Sequence, residues 1–197
     1  MTSYDAVVLA GGGARRLGGL DKPAQEVGGA SLLDRVLAAT ADAQRTVVVG
    51  PERVTARQVL WTAEEPAGGG PVAALVAGLA LVTAAWVVLL AADLPFVVAG
   101  TVYALLDALV SSDGAGPAGS DGALLVDDSG RDQLLVGVWR TAALRAALPD
   151  VVNGARLGLV LGGLDAVRVS VPTVAGKPAP WTDCDTDEDL RRAREIA

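Results

Sequence analysis

The chain has 197 residues, enough for one domain of ordinary size with a sizeable buried core. A formal net charge of -7 argues against a protein that coats nucleic acid or an anionic membrane, and a hydrophobic share of 51% excludes a disordered chain. Histidine is absent and Cys184 is the one cysteine, so His-based triads, His or Cys-cluster metal sites and intrachain disulfides are all ruled out.

Tyr4–Ala10 ends in a β-branched apolar run and stops at three glycines, the pattern of a central strand. Residues 11–30 read as a long Gly-rich loop. Ser31 and Asp34 have capping-box spacing, and Leu32, Leu33, Val36 and Leu37 form the apolar face of the helix that follows. Thr46–Val49 is a second strand closed by Gly50-Pro51. Residues 52–62 predict a short helix and a third strand. After a loop at 63–71 come a buried helix over Val72–Val82, a strand over Trp86–Leu90, a turn over Ala92–Phe96 and a helix over Thr101–Val110. Ser111–Ser120 predicts an exposed Gly/Ser/Ala loop. Strands at Ala123–Val126 and Leu134–Trp139 flank an Asp-Asp-Ser-Gly turn, followed by helices at Thr141–Leu148 and Asn153–Leu161, a strand at Val167–Val171 and a terminal helix at Asp187–Ile196. Strands and helices alternating at these lengths indicate a single α/β domain, residues 1–197, with a mainly parallel sheet and right-handed crossovers.

The uncharged stretch from Pro66 to Ala92 is long enough to cross a bilayer. It is rich in Ala, opens with a Gly-Gly-Gly-Pro turn, and is flanked by the acids Glu64, Glu65 and Asp93 where basic and aromatic anchors would be expected. A buried helix running into a buried strand explains it better. With no secretion signal in view, a cytoplasmic protein without membrane or nucleic-acid partners is the expectation.

The strongest chemical signal is L-A-G-G-G-A-R-R-L-G-G-L-D-K-P at residues 9–23. Gly11, Gly12 and Gly13 follow a buried strand, where missing side chains let backbone N–H groups approach an anion. Arg15, Arg16 and Lys22 outweigh Asp21 in a protein that is acidic overall, and Lys22 is one of only two lysines. A polyphosphate ligand accounts for both features. The alternative is a surface loop with solvated charges, in which Arg16 pairs with Asp21. A Walker A loop would need Lys at Gly19, and a dinucleotide fingerprint would need Gly at Arg16, so both fit poorly.

The segment resembles the nucleotidyltransferase signature L-A-G-G-x-x-x-R-[ML]-G-x-D-K, most closely that of the molybdenum cofactor guanylyltransferase branch, with one additional glycine before Leu20-Asp21-Lys22. Collinear matches follow at E-E-P-A-G-G-G-P-V-A-A-L (64–75), A-A-D-L-P-F (91–96), D-Q-L-L-V-G-V-W (132–139) and D-C-D-T-D-E-D-L (183–190), so the resemblance spans nearly the whole chain. It implies a three-layer Rossmann-like nucleotidyltransferase fold with a nucleotide-binding N-terminal half and an acceptor-binding C-terminal half. The implied activity is Mg²⁺-dependent transfer of GMP from GTP to the terminal phosphate of a molybdopterin-type acceptor, releasing pyrophosphate; the alternatives are a nucleotidyltransferase using CTP or another phosphorylated acceptor such as a sugar phosphate, or a catalytically silent nucleotide-binding protein. Other molybdenum cofactor proteins would be possible partners.

Carried onto this sequence, the resemblance places the nucleotide on Leu9, Ala10, Gly11, Gly12, Gly13, Lys22, Glu65 and Asp93. Arg16, Lys22 and Asp93 become the catalytic residues, with Mg²⁺ on Asp93 and Asp185. Independently of the family, an Asp at the carboxyl end of a strand suits Mg²⁺, although Asp93 could instead cap the following helix or turn. Glu65, or Glu64 in its place, offers a carboxylate to guanine's N1–H and exocyclic amine. Asp183 and Asp185 stand where the family has Asn-x-Asn-Thr-Pro, and Asp185 or Thr186 could equally cap the last helix. Gln133 and Arg131 fall in the acceptor half, with Trp181 the aromatic expected near it. Glu65, Ala74, Leu134 and Asp187 depart from the family pattern.

Overall fold

The computed structural model describes residues 2–11, 21–109, 119–174 and 176–197. Its centre is a seven-stranded sheet in the order β5-β4-β1-β6-β8-β7-β9. These strands are β1 (Tyr4–Leu9), β4 (Thr46–Val49), β5 (Leu60–Thr62), β6 (Trp86–Ala91), β7 (Gly122–Val126), β8 (Asp132–Arg140) and β9 (Ala166–Val169), with β2 (Glu26–Val27) and β3 (Ala30–Ser31) forming a separate hairpin. The helices are α1 (Leu32–Ala39), α2 (Pro71–Leu79), α3 (Ala99–Ala108), α4 (Thr141–Ala146), α5 (Leu157–Leu161) and α6 (Asp187–Ile196). β8 runs against both of its neighbours, and every other sheet pairing is parallel.

Strands buried on both faces are predominantly apolar, as β1, β4 and β6 are, and the buried Asp5 carboxylate of β1 accepts from the Thr83 and Ala84 N–H groups. Ala6 and Val8 of β1 point into one core with Leu33, Val36 and Leu37 of α1 and Val102, Leu105 and Leu106 of α3. Val7 and Leu9 point the other way, into a core with Val72, Leu75 and Leu79 of α2, Leu144 of α4, and Leu157, Val160 and Leu161 of α5. Helices on both sheet faces give the three layers the sequence implied. A third cluster joins Val27 and Leu32 to Cys184, Leu190 and Ala193, docking α6 and the segment before it onto the β2–β3 hairpin.

The uncharged run resolves into α2 followed by β6. No helix among the described residues is long and apolar enough to cross a membrane. Two segments differ from expectation. Residues 51–59 form turns and extended chain with no helix, and β5 begins only at Leu60. Val54 and Thr55 are β-branched, 52–59 lack an apolar stripe, and the Ala56 N–H is taken by the Asp34 carboxylate (2.8 Å) instead of a helical carbonyl. Within 11–30, the chain forms a 3-10 turn over Lys22–Ala24 and the β2–β3 hairpin, whose two-residue turn Gly28-Gly29 has both φ angles positive. Gly-Gly between short strand segments is a hairpin signal that the single-loop reading overlooked.

Candidate active site

From β1 the sheet grows through β4 to β5 on one side, while β6 lies on the other. The carboxyl ends of β1 and β6 therefore flank a topological switch point, where open α/β sheets bind ligands. Ala10 and Gly11 leave β1 here and Asp93 follows β6. The two turns are tied by hydrogen bonds from Ala10 N–H to the Val49 carbonyl (2.8 Å) and from Ala92 N–H to the Leu9 carbonyl (3.0 Å). Gly50 packs so tightly on this corner that a Cβ there would stand 2.8 Å from the Ala10 carbonyl carbon and oxygen, and its φ of +148° also favours glycine.

Lys22 reaches this edge from its 3-10 turn. Its ammonium donates to Asp93 and to Asp185, each at 2.7 Å, joining residues from three distant parts of the chain. Burial pulls the Lys22 pKa down, but the charges and hydrogen bonds of the two aspartates outweigh it and the net shift is upward. Asp183 is raised, first by desolvation and then by repulsion from Asp185 and Asp93. The frame around these groups is firm. Cys184 N–H donates to the Asp93 carbonyl (3.1 Å), and the Cys184 side chain is buried in the third cluster. Its thiol is pushed up to about 11, foremost by burial, consistent with a packing residue and not a nucleophile.

The capping alternatives are settled by geometry. Thr186 caps α6 in a reciprocal capping box with Asp189, leaving the Asp185 carboxylate to Lys22. Asp93 does not cap α3, whose N-cap is Val98. Asp21 is clasped by Arg53, with Nε at 2.8 Å and 3.0 Å from its two carboxylate oxygens; nothing in the sequence singled out Arg53. Gly12, Gly13, Arg15 and Arg16 lie outside the described residues.

The loop after β5 approaches the same corner. Glu64 Oε1 accepts the Gly68 N–H (2.8 Å), and its Oε2 lies 3.9 Å from where a Cβ on Gly11 would stand. Glu64 is half-buried and Glu65 exposed. Gly154 N–H donates to the Gly69 carbonyl (2.9 Å), linking this loop to the C-terminal half. Gln133 serves the β7–β8 turn by donating to Asp127 (3.0 Å), and Trp181 packs against the first core instead of standing free. A cleft of about 920 Å³ lined by residues 43–46 and 55–61 lies elsewhere, beside the edge strand β5.

The donor chemistry around Lys22 suits Mg²⁺. Asp93 and Asp185 direct hard carboxylate oxygens at one point, now taken by the ammonium. No group of three or more His, Cys, Asp or Glu ligands occurs among the described residues. Mg²⁺ is typically held by one or two carboxylates, with phosphate and water oxygens completing its shell.

The doubly wound α/β domain thus brings a lysine and two aspartates together at its switch point, where such sheets bind ligands. Residues 6–166 match the family described as the MobA-like NTP transferase domain, and the chain belongs to that family. It is 33% identical over 206 residues to the molybdenum cofactor guanylyltransferase of Rhodopseudomonas palustris, covering 98% of this chain and 93% of that protein. It is 29% identical over 207 residues to that of a Bradyrhizobium species, covering 100% of this chain and 94% of the relative. In fold it is similar to the crystal structure of molybdopterin-guanine dinucleotide biosynthesis protein A from Archaeoglobus fulgidus, with a TM-score of 0.71, 24% identity, and coverage of 98% and 97% of the two chains. The protein is a nucleotidyltransferase.

Proposed function

We propose that the protein transfers GMP from GTP to the terminal phosphate of a molybdopterin-type acceptor, with Mg²⁺ as cofactor and release of pyrophosphate. The observation that carries the reading is the convergence of Lys22, Asp93 and Asp185 at the carboxyl edge of β1 and β6. The family's relatives, which are named guanylyltransferases, support the choice of nucleotide and acceptor.

The attacking group in this reaction is a phosphate oxygen. A phosphomonoester loses its second proton near pH 6, so it is already ionised at neutral pH and needs no general base. A chain without histidine can therefore perform the transfer. What the protein must supply is charge neutralisation and in-line positioning. Gly11, Gly12 and Gly13 offer backbone N–H groups to the triphosphate, and Lys22 and Arg16 stabilise charge on the leaving pyrophosphate. Mg²⁺ held by Asp93 and Asp185 would neutralise phosphate charge that Lys22 and Arg16 leave uncompensated. The base falls to the Glu64–Glu65 pair. The placement of Glu64 beside Gly11 favours it as the carboxylate that accepts from guanine, with Glu65 as the alternative.

The test is to incubate the protein with GTP, CTP or ATP and Mg²⁺, with and without molybdopterin, and to measure pyrophosphate. Release with GTP that depends on molybdopterin is expected. Equal release with CTP, or release independent of the acceptor, would refute the assignment.

A further inference from the structure

We propose that Lys22 is an internal counter-ion occupying the divalent-cation position of the nucleotide-free protein, so that the cation can settle on Asp93 and Asp185 only when Lys22 swings away to the triphosphate. The inference rests on the metal reading above and adds a coupling to it: nucleotide and metal assist each other's binding because both require the same displacement.

Three features carry it. First, the ammonium contacts both carboxylates at 2.7 Å, one from the turn after β6 and the other from the segment before α6. A Mg²⁺ ion takes carboxylate oxygens at about 2.1 Å, so ion and ammonium would occupy overlapping space with like charge. Second, the backbones that carry the carboxylates are the anchored side of the contact. The Cys184–Asp93 backbone hydrogen bond, the buried Cys184 side chain and the capping box at Thr186 tie down the segments on which both aspartates sit. Lys22 instead reaches them through a flexible four-carbon stem from a short turn. Third, a triphosphate is the partner that can draw the lysine off, since it offers several anionic oxygens. By linkage, whatever raises nucleotide affinity in the presence of metal must raise metal affinity in the presence of nucleotide by the same factor.

The decisive measurement is the Mg²⁺-dependent rise in melting temperature, without nucleotide, for wild type and Lys22→Met. Methionine keeps much of the stem's length and apolar character while removing the charge. The rise reports binding to the native state. Lys22→Met should bind Mg²⁺ about tenfold or more tightly than wild type, a lower bound for removing a contact ion at this separation. The gain should survive high potassium chloride, where the Debye length shrinks to a few ångströms. Adding Asp93→Asn to Lys22→Met should abolish it. Mg²⁺ affinity in Lys22→Met equal to or weaker than wild type, or a gain lost at high salt, would overturn the proposal. Should Lys22→Met not fold, Lys22→Gln is read the same way. A parallel arm separates this idea from the reading beneath it. Mn²⁺ binding to wild type with a non-hydrolysable GTP analogue, followed by electron paramagnetic resonance, should fall in Asp93→Asn. If it does not, the metal site itself is misplaced; if it does while Lys22→Met shows no gain, only the counter-ion role fails.

Discussion

Replacing Glu64 by Gln tests how the base is selected. The Glu64 carboxylate has one oxygen on the Gly68 N–H at 2.8 Å and the other facing Gly11 beside the nucleotide loop. Glutamine has nearly the same shape, and its carbonyl oxygen can keep the Gly68 hydrogen bond. Its amide then turns a donor toward the site where guanine presents two donors of its own. A mismatch of this kind in a partly buried site costs ~1–3 kcal/mol, which erodes preference for GTP over ATP by roughly tenfold or more. ATP affinity should hardly change, because the triphosphate contacts are untouched. Melting-temperature shifts against nucleotide concentration, with Mg²⁺ present, give the affinities. Glu65→Gln serves as the paired variant and should leave the preference intact. Equal loss of all nucleotides in Glu64→Gln would return that residue to a structural role, and loss of preference in Glu65→Gln alone would assign the base to Glu65.

Asp93→Asn should cut turnover by ~10²-fold or more with the melting temperature nearly unchanged, since an electrostatic group is lost at constant shape; near-normal activity at ordinary Mg²⁺ would contradict the assignment. Gly78→Ala should destabilise the fold by ~1–2 kcal/mol in urea titrations. A Cβ there would stand 2.6 Å from Val7 Cγ1, and the overpacking outweighs alanine's helical advantage. Tyr4 has a buried hydroxyl without a partner among the described residues, and its pKa is raised to about 12, foremost by burial. The folded state therefore holds this proton more tightly than the unfolded one, and up to roughly 2–3 kcal/mol of stability should be lost between about pH 10 and 12. Tyr4→Phe should flatten that part of the stability profile, and an unchanged profile would refute the cause.

The fold was legible where burial is two-sided and helical faces are regular. β1, β4 and β6 are largely apolar runs, and the Ser31–Asp34 spacing marks a cap that the structure forms. Legibility failed where hydrogen bonds between separate segments decide. Residues 51–59 carry no apolar stripe, and their conformation is set by Arg53 on Asp21, Asp34 on Ala56 and Arg57 Nη2 on Thr46 at 2.5 Å. Each of those contacts joins segments that the sequence order keeps apart, so no local pattern could announce them.

The site divides along the same physical line. Lys22 and Asp93 stand in the motifs that carry the family resemblance, and the structure brings both to the sheet's carboxyl edge. Asp185 was ambiguous because an acidic residue before a helix satisfies the dipole whether or not it does anything else. Only the three-dimensional placement separates its role from that of Thr186, which takes the cap and leaves Asp185 to the ammonium. The Glu64–Glu65 choice is of the same kind. Adjacent carboxylates in a loop are indistinguishable by composition, and it is the Gly68 N–H that turns Glu64 toward Gly11 while Glu65 faces solvent. Arg53 escaped notice for the opposite reason: a lone arginine after a turn reads as a solvated charge until Asp21 is seen beside it. By holding Asp21, Arg53 anchors the residue next to Lys22, so the lysine's reach toward Asp93 and Asp185 begins from a fixed base.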